Sequence, residues 1–340
     1  MRIGILTGGG DCPGLNAVIR GIVKSAPESV EIIGLMHGWK GLVVGESMKL
    51  TDNDVEGIHI LGGTILGTSR TNPFKSEDMR VKMEENIEKL GLDAIIGIGG
   101  DDTLSVAAKL SSMGYKAIGV PKTIDNDVAN TDYTFGYQTA VNVGADAIDR
   151  LHSTAKSHGR IIIVELMGRE AGWVTLEAGM AAGAHLILIP EYPMTIDEII
   201  AYVKKRMDRY GYMIVAVAEG FKPTELENVV GDESKIDAFG HIKLGGIAHY
   251  MANIISERTG YDTRSVVLGH LLRGGTPTAF DRILGTRYGV HAMELVMKGD
   301  FGRMVALKGN NIVSIPLEYG IATKKLVPFE YYKLSQIFFD

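Results

Sequence analysis

The sequence predicts a doubly wound α/β fold with mostly parallel sheets. Short apolar runs rich in β-branched residues alternate with longer segments whose apolar residues recur with a helical period. The runs are apolar at consecutive positions, as expected of strands buried on both faces of a parallel sheet. Glycine- and aspartate-rich segments follow several of these runs. Ligands of such folds gather beyond the carboxyl ends of the strands, so these segments are the first candidates for a functional site.

Each predicted element rests on its own pattern. Strands are expected at 3–6, 32–35, 94–98, 117–120, 161–166, 186–189, 213–218 and 265–268. Apolar stripes predict helices over 15–25, 103–113 and 196–207. Gly91 and Gly114 follow helical segments, where a left-handed cap residue is favourable. No linker marks a domain boundary, but a second group of strands and helices begins near Tyr137, and the chain is expected to cross between two lobes more than once.

The bulk composition limits the classes of partner and compartment. The chain has 340 residues, enough for two domains, and a formal net charge of −6. This charge argues against a nucleic acid or an anionic membrane as partner. Cys12 is the lone cysteine, which excludes an internal disulfide and fits a reducing compartment. The chain opens on a predicted strand instead of a signal peptide, so the expected location is the cytoplasm.

The segment 8–14 follows the first strand with three glycines, Asp11, Cys12, Pro13 and a further glycine. Glycines permit close approach of a ligand, and the start of the next helix offers amide donors suited to a phosphate. A tight strand–helix turn without a ligand would use similar residues. The segment matches neither the P-loop nor the dinucleotide-binding fingerprint.

Asp101 and Asp102 stand at the end of the strand predicted at 94–98. Two adjacent carboxylates repel each other unless a cation compensates them, and Mg²⁺ needs only one or two carboxylates when phosphate oxygens supply other ligands. The alternative is that the pair caps the helix predicted at 103–113, a common use of aspartate.

The segment 121–127 places a lysine, a threonine and two carboxylates in one short loop. Asp125 and Asp127 are two residues apart, so one could accept a proton from an attacking hydroxyl while the other orients its neighbours. Lys122 adds a charge that can meet a transferring phosphoryl group. An Asx-turn would explain Asn126 and Asp127 but not Lys122.

Arginines recur at glycine-rich or strand-edge positions. Any one of them would ordinarily be a solvated surface residue. Their recurrence in an acidic protein, with His270 nearby, suits a phosphorylated substrate better; they are Arg70, Arg160, Arg169, Arg264 and Arg273.

These motifs together resemble the phosphofructokinase family over nearly the whole chain. The resemblance is carried by 8–14, 62–70, 99–103, 121–127, 167–169, 219–220 and 269–275. It implies two Rossmann-like three-layer lobes with the active site in the cleft between them. The larger, phosphoryl-donor lobe is expected to comprise 1–136 with roughly 248–298, and the smaller, sugar-phosphate lobe 137–247 with roughly 299–340. The implied reaction is Mg²⁺-dependent transfer of a phosphoryl group to the 1-hydroxyl of fructose 6-phosphate.

The resemblance also implies roles for individual residues. Asp125 resembles the base that accepts the proton of the sugar hydroxyl, with Thr123 and Asp127 in the same loop. Asp101 resembles the Mg²⁺ ligand, and Gly10 a backbone contact of the donor phosphate. Residues similar to sugar-phosphate contacts are Met167, Gly168, Arg169, Glu219, His270 and Arg273. Arg169 is also expected to stabilise charge on the transferring group.

Two further residues imply an oligomer. Arg160 and Arg264 match arginines that reach the substrate of a neighbouring subunit, so a homodimer or homotetramer is expected.

Two departures from the ATP-dependent bacterial members concern the phosphoryl donor. Asp102 and Lys122 stand where those members usually carry glycine, whereas pyrophosphate-dependent members carry Asp and Lys. The Asp102 carboxylate would repel the α-phosphate of ATP, and Lys122 would neutralise diphosphate. We therefore expect diphosphate as donor, with Arg70 beside it, and a reversible reaction. An ATP-dependent or mixed-donor enzyme, and a catalytically silent sugar-phosphate-binding subunit, are the alternatives.

The effector site of the bacterial ATP-dependent enzymes is only half matched. Arg20 and Lys24 correspond to its basic residues. Other positions differ, namely His152, His185, Asp208 and Tyr210, so weak or absent regulation by ADP or phosphoenolpyruvate is expected.

Overall fold

The computed structural model describes residues 1–236 and 242–339, and its framework is two sheets. The larger sheet has seven strands in the order β13-β12-β5-β4-β1-β2-β3, and the smaller has four in the order β11-β6-β8-β7. All pairs in the smaller sheet are parallel. In the larger sheet only the outer pairs, β2 with β3 and β12 with β13, are antiparallel. The expected fold class of two α/β lobes with mostly parallel sheets is confirmed.

The strands of the larger sheet come from both ends of the chain. They are β1 (Arg2–Thr7), β2 (Glu31–Leu35), β3 (Ser47–Leu50), β4 (Ala94–Gly99), β5 (Ala117–Pro121), β12 (Arg303–Lys308) and β13 (Asn311–Pro316). Those of the smaller sheet are β6 (Ile161–Leu166), β7 (Leu186–Leu188), β8 (Met213–Ala218) and β11 (Thr263–Val267). A separate antiparallel ribbon consists of β9 (Gly231–Ile236) and β10 (Ile242–Leu244).

The helices alternate with these strands and cover the sheets. They are α1 (Leu15–Ser25), α2 (Trp39–Val44), α3 (Glu77–Leu90), α4 (Asp101–Ser112), α5 (Tyr137–His158), α6 (Trp173–Ala181), α7 (Ile196–Tyr210), α8 (Ile247–Thr259), α9 (Ala279–Lys298), α10 (Leu317–Ile321) and α11 (Phe329–Gln336). Their ends follow local chemistry: Thr195 and Glu198 form a capping box at the start of α7, and Gly211 ends it at φ 71°. None of the described helices combines the length and apolar character that a membrane span needs.

The path between the lobes differs from the expected one. The segment 248–298 was expected in the larger lobe, yet β11 pairs with β6 in the smaller sheet. The segment 299–340 was expected in the smaller lobe, yet β12 and β13 extend the larger sheet. The reason is that β12 pairs in parallel with β5, which a local pattern cannot reveal.

A buried carboxylate joins the lobes where α5 and α9 meet. Asp281, near the start of α9, accepts hydrogen bonds from the amide and hydroxyl of Thr139 in α5 at 2.8 and 2.5 Å. Its side chain has no solvent exposure, and burial raises its pKa. One apolar cluster continues through this region, containing Ile5 of the larger sheet and Ile163 of the smaller.

The C-terminal segment crosses back from the larger lobe to the smaller. Leu317 of α10 belongs to the apolar cluster beneath α4, while Tyr332 of α11 donates to the Ile187 carbonyl at 3.1 Å. We call residues 322–328, which join these helices, the C-terminal strap.

Candidate active site

A cavity lies at the carboxyl ends of the strands of both sheets. Its larger-lobe wall is formed by the loops that follow β1, β4 and β5, and its smaller-lobe wall by residues that follow β6, β8 and β11. The sequence-predicted residues that line it are Gly10, Arg70, Asp101, Asp102, Lys122, Thr123, Asp125, Asp127, Arg169, Glu219 and Arg273. The arrangement is the one expected for ligand sites of open α/β sheets.

The glycine loop after β1 allows charged side chains to approach its backbone. Gly9 has a φ of 79°, which favours glycine. A Cβ atom on Gly10 would lie 2.9 Å from the guanidinium carbon of Arg273, so a larger residue there would displace that side chain from its present position. The buried ammonium of Lys122 donates to the Gly10 carbonyl. Burial lowers the pKa of Lys122. The loop therefore holds two cations of the cavity close to its own backbone.

Asp101 and Asp102 lie in the first turn of α4. The N-cap residue of this helix is Gly100, and Asp101 and Asp102 are its first two helical residues. The alternative that the pair caps this helix is therefore wrong. Negative charge in a first helical turn is favourable because it faces the positive end of the helix dipole. Burial, and then the Asp127 carboxylate, raise the pKa of Asp101. The two carboxylates therefore project from the helix end into the cavity.

Asp125 is the most perturbed carboxylate of the cavity. Its amide donates to the Thr123 hydroxyl at 3.0 Å, which fixes the loop, while its Oδ1 is shut off from solvent without a hydrogen-bond partner. Burial, followed by the charges of Asp127 and Glu219, raises the pKa of Asp125 to about 7. A carboxylate with this pKa can accept a proton near neutral pH.

Asn126 has a structural role in this loop, but its hydrogen-bond partners lie eight and 199 residues away and do not form the Asx-turn of the alternative. Its φ is 52°, and its Oδ1 accepts from the amide of Thr134 at 3.2 Å and from the ammonium of Lys325 at 2.8 Å. Asp127 instead faces the cavity. The loop thus contains both kinds of residue, with the structural one between two carboxylates that line the site.

Sequence reasoning missed Lys324. The C-terminal strap brings its ammonium to 2.6 Å from Asp101 Oδ2 and 3.2 Å from Asp127 Oδ2. Burial would lower the pKa of Lys324, but the two carboxylates reverse this and raise it. No motif surrounds Lys324, so only the tertiary path of the strap reveals it.

The smaller-lobe wall depends on a close backbone contact. A Cβ atom on Gly220 would lie 1.8 Å from the Arg169 carbonyl oxygen, so glycine is required there. The Gly220 amide donates to the Gly168 carbonyl at 3.0 Å, and the Glu219 amide to the Leu166 carbonyl at 2.9 Å. These contacts hold the Arg169 and Glu219 backbones beside each other at the ends of β6 and β8.

Five predicted residues do not line this cavity. Met167 and Gly168 precede Arg169 in the chain but do not line the cavity, and Met167 is buried. His270 is exposed. Arg160 and Arg264 both pair with Asp262 at the amino-terminal edge of the smaller sheet, opposite the cavity.

Four of the residues at effector-site positions have partners within the chain, whereas the Nε of Arg20 is buried without a hydrogen-bond partner. Lys24 pairs with Asp52 at 2.9 Å. His152 and His185 stack edge to face at 5.4 Å, and Asp208 accepts from Tyr261 at 3.1 Å. Cys12, next to the glycine loop, is buried, and burial raises the pKa of its thiol.

The phosphofructokinase family profile matches residues 2–296. The chain belongs to the phosphofructokinase family. It is 52% identical to a pyrophosphate–fructose 6-phosphate 1-phosphotransferase of Amycolatopsis methanolica, over the full length of both chains. It is 50% identical to ATP-dependent 6-phosphofructokinase 3 of Streptomyces coelicolor, over 96% of this chain and 97% of that one. A solved pyrophosphate-dependent phosphofructokinase from Marinobacter aquaeolei superposes with a TM-score of 0.84 at 23% identity, covering 97% of this chain and 86% of that one, which shows the shared fold.

Proposed function

We propose that this phosphofructokinase-family chain transfers a phosphoryl group reversibly between diphosphate and the 1-hydroxyl of fructose 6-phosphate. The products of the forward reaction are fructose 1,6-bisphosphate and phosphate. The observation that carries the donor assignment is that Asp102 and Lys122 line one cavity with the glycine loop. Overall sequence identity does not distinguish a diphosphate donor from ATP, since a diphosphate-dependent relative is 52% identical to the chain and an ATP-dependent relative is 50% identical.

The donor assignment follows from charge. A helix start without a side-chain cap would ordinarily attract an anion, but Asp101 and Asp102 already place two carboxylates at the start of α4. A third phosphate directed at that end would be repelled by Asp102. Diphosphate has two phosphates, and Lys122, together with Arg70 on the cavity wall, supplies positive charge for them.

The acceptor side of the reaction is assigned to the loop after β5 and the wall that faces it. Asp125 takes the proton from the 1-hydroxyl, because its Oδ1 has no hydrogen-bond partner and its pKa is raised to about 7. Arg169 stabilises the charge on the transferring group. Thr123 orients the loop, and Asp127 completes the carboxylate pair. Glu219 and Arg273 hold the sugar phosphate. Met167, Gly168 and His270 do not line the cavity but are proposed to contact the sugar phosphate as well.

Mg²⁺ is the proposed cofactor, with Asp101 as its protein ligand. The donor set fits, since Asp101 and Asp127 present carboxylate oxygens that now share one ammonium. No group of three metal-binding side chains is present among the described residues. Mg²⁺ accepts one or two carboxylates when water and phosphate oxygens complete its shell. When bound, it would neutralise charge on the phosphates.

We also propose a homodimer or homotetramer in the cytoplasm. Arg160 and Arg264 would then contact the sugar phosphate of a neighbouring subunit, which agrees with their position away from this chain's own cavity. Regulation by ADP or phosphoenolpyruvate is expected to be weak, because Lys24 is already paired. In functional terms the larger lobe binds the donor and the smaller the sugar phosphate.

The test is the initial rate of fructose 1,6-bisphosphate formation from fructose 6-phosphate and Mg²⁺, with diphosphate or ATP at matched concentrations. We expect a strong preference for diphosphate, and phosphate should support the reverse reaction. Preference for ATP would favour the second candidate, an ATP-dependent 6-phosphofructokinase. Turnover with neither donor would support the silent sugar-phosphate-binding subunit. Asp125→Ala serves as the inactive control, with an expected loss of about 10²-fold or more.

A further inference from the structure

The C-terminal strap delivers a cation to the carboxylates of the active site. Lys324 lies 197 residues beyond Asp127 in the chain, yet its ammonium bridges Asp101 and Asp127. Its side chain retains about a third of its solvent exposure and lines the same cavity as the glycine loop. Lys324 therefore lines the cavity, but it belongs to the C-terminal strap and not to either of the two walls.

The backbone of the strap is fixed independently of this ammonium. Lys324 forms an isolated antiparallel bridge with Val128, and the Lys325 amide donates to the Asp127 carbonyl at 2.8 Å. The Lys325 carbonyl accepts from the Trp173 indole at 2.8 Å. The Lys325 ammonium donates to three oxygens, including Asn126 Oδ1. Lys325 therefore anchors the strap, which leaves the Lys324 ammonium to act on the cavity.

The same carboxylate oxygen cannot serve an ammonium and a divalent cation equally well. Asp101 Oδ2 already lies 2.6 Å from Lys324, and Mg²⁺ would bind a carboxylate oxygen at about 2.1 Å. Two cations on one carboxylate repel each other strongly in a partly buried site. An ammonium that leaves Asp101 would meet an anionic donor in the same cavity.

We propose that Lys324 is a positioning residue that occupies the place of a cation between Asp101 and Asp127, opposes metal binding in the absence of diphosphate, and strengthens the binding of diphosphate. The proposal rests on the proposed function for the identity of the donor. It predicts that the site binds a metal ion weakly without phosphate and that the ion enters together with the anion that attracts Lys324. No group is transferred in this step, because the ammonium only exchanges one set of oxygen partners for another.

The experiment compares two affinities in the same variant. Binding of Mn²⁺ alone is measured by electron paramagnetic resonance in phosphate-free buffer, and binding of diphosphate by calorimetry in EDTA. For Lys324→Met we expect Mn²⁺ to bind about tenfold more tightly and diphosphate about tenfold more weakly, each equivalent to about 1.4 kcal/mol. Lys324→Arg keeps the charge and should stay near the wild type in both measurements.

The affinity for Mn²⁺ should rise while the affinity for diphosphate falls, and these opposite changes distinguish the proposed role from a structural one. Lys325→Met is the matched control, because loosening the strap should weaken both ligands or neither. Asp101→Asn in the Lys324→Met background should abolish the gain in Mn²⁺ affinity, which locates the metal. Lys324→Gln is made in parallel in case the methionine variant does not fold.

Unchanged or weaker Mn²⁺ binding in a folded Lys324 variant would overturn the proposal, as would unchanged diphosphate binding. The proposed function can fail separately. If the wild type turns over only ATP but Mn²⁺ affinity still rises in Lys324→Met, the metal-excluding role holds while the donor assignment falls.

Discussion

The raised pKa of Asp125 has a measurable effect on stability. Without a bound ligand this carboxyl group has a pKa of about 7, against the ordinary value of 3.8 for an aspartate. Burial is the largest cause, and the carboxylates of Asp127 and Glu219 add to it, while Arg273 and Lys324 act in the opposite direction. Ionisation of Asp125 therefore lowers the stability of the native state relative to the unfolded chain.

The sign of the effect follows from proton linkage. A carboxyl group whose native pKa is raised contributes stability that is fully present below its unfolded pKa. That stability is lost as the pH rises through the native pKa. The window is thus roughly pH 4 to 7, and the native chain binds the extra proton within it. A difference of about three pKa units corresponds to about 4 kcal/mol. Since the residue as a whole is only half-buried, we expect roughly half of this.

Asp125→Asn removes the titrating group at constant size. In metal-free and phosphate-free buffer, the variant should match the wild type near pH 4 and become more stable by about 2 kcal/mol at pH 8. Its turnover should fall by about 10²-fold or more because the base is lost. The assay is urea unfolding followed by circular dichroism across pH 4–9, with turnover measured on the same samples. Exposed Asp149 gives the matched control, since Asp149→Asn should leave the stability difference flat.

Equal stability of wild type and Asp125→Asn at every pH would refute the reasoning, because the buried charge would then carry no cost. A stability gain without loss of turnover would leave the burial argument intact and remove Asp125 as the base.

Three other changes test separate parts of the structure. Asp102→Gly should raise the ratio of ATP to diphosphate turnover by about tenfold or more, measured as kcat/KM for each donor; an unchanged ratio would discount the charge argument. Asp281→Ala removes the buried carboxylate that joins α5 to α9 and should lower the free energy of unfolding by about 3 kcal/mol in urea titrations. Gly220→Ala should displace the Arg169 backbone and reduce kcat/KM for fructose 6-phosphate by about tenfold or more, whereas Gly97→Ala, with only ordinary contacts, should not.

The local sequence pattern predicted the buried strands of the parallel sheets best. The strands at 161–166 and 213–218 have the expected bounds, because each is a continuous apolar run buried on both faces. The edge strands β3 and β13 were missed, since both are half-exposed and lack such a run, and the buried strand β12 was missed as well. Membership of a sheet was harder still. β11 and β12 each pair with a strand more than a hundred residues earlier in the chain, and no local signal reports that pairing.

The site was predictable where its residues follow strands and obscure where they do not. Asp101 and Asp125 follow β4 and β5, so the rule that parallel strand ends meet at one edge brought them together in advance. Lys324 follows no strand of the cleft and reaches it through the C-terminal strap. The rule that parallel strand ends meet at one edge identifies the walls of the cavity, but it gives no information about Lys324, which the C-terminal strap brings into the cavity.

Four of the carboxylates on the larger-lobe wall differ in chemistry because their surroundings differ. Asp125 has a buried oxygen without a partner, which raises its pKa towards the range of a general base. Asp101 and Asp127 share the ammonium of Lys324, which lies where a metal cation would bind. Asp102 stands at the helix start, where, in the proposed function, its charge repels the third phosphate of a longer donor. Grouped carboxylates favour protonation of one another, and the charges of Arg273 and Lys324 oppose this effect at Asp125, so the cations around the cavity limit how far its pKa is raised.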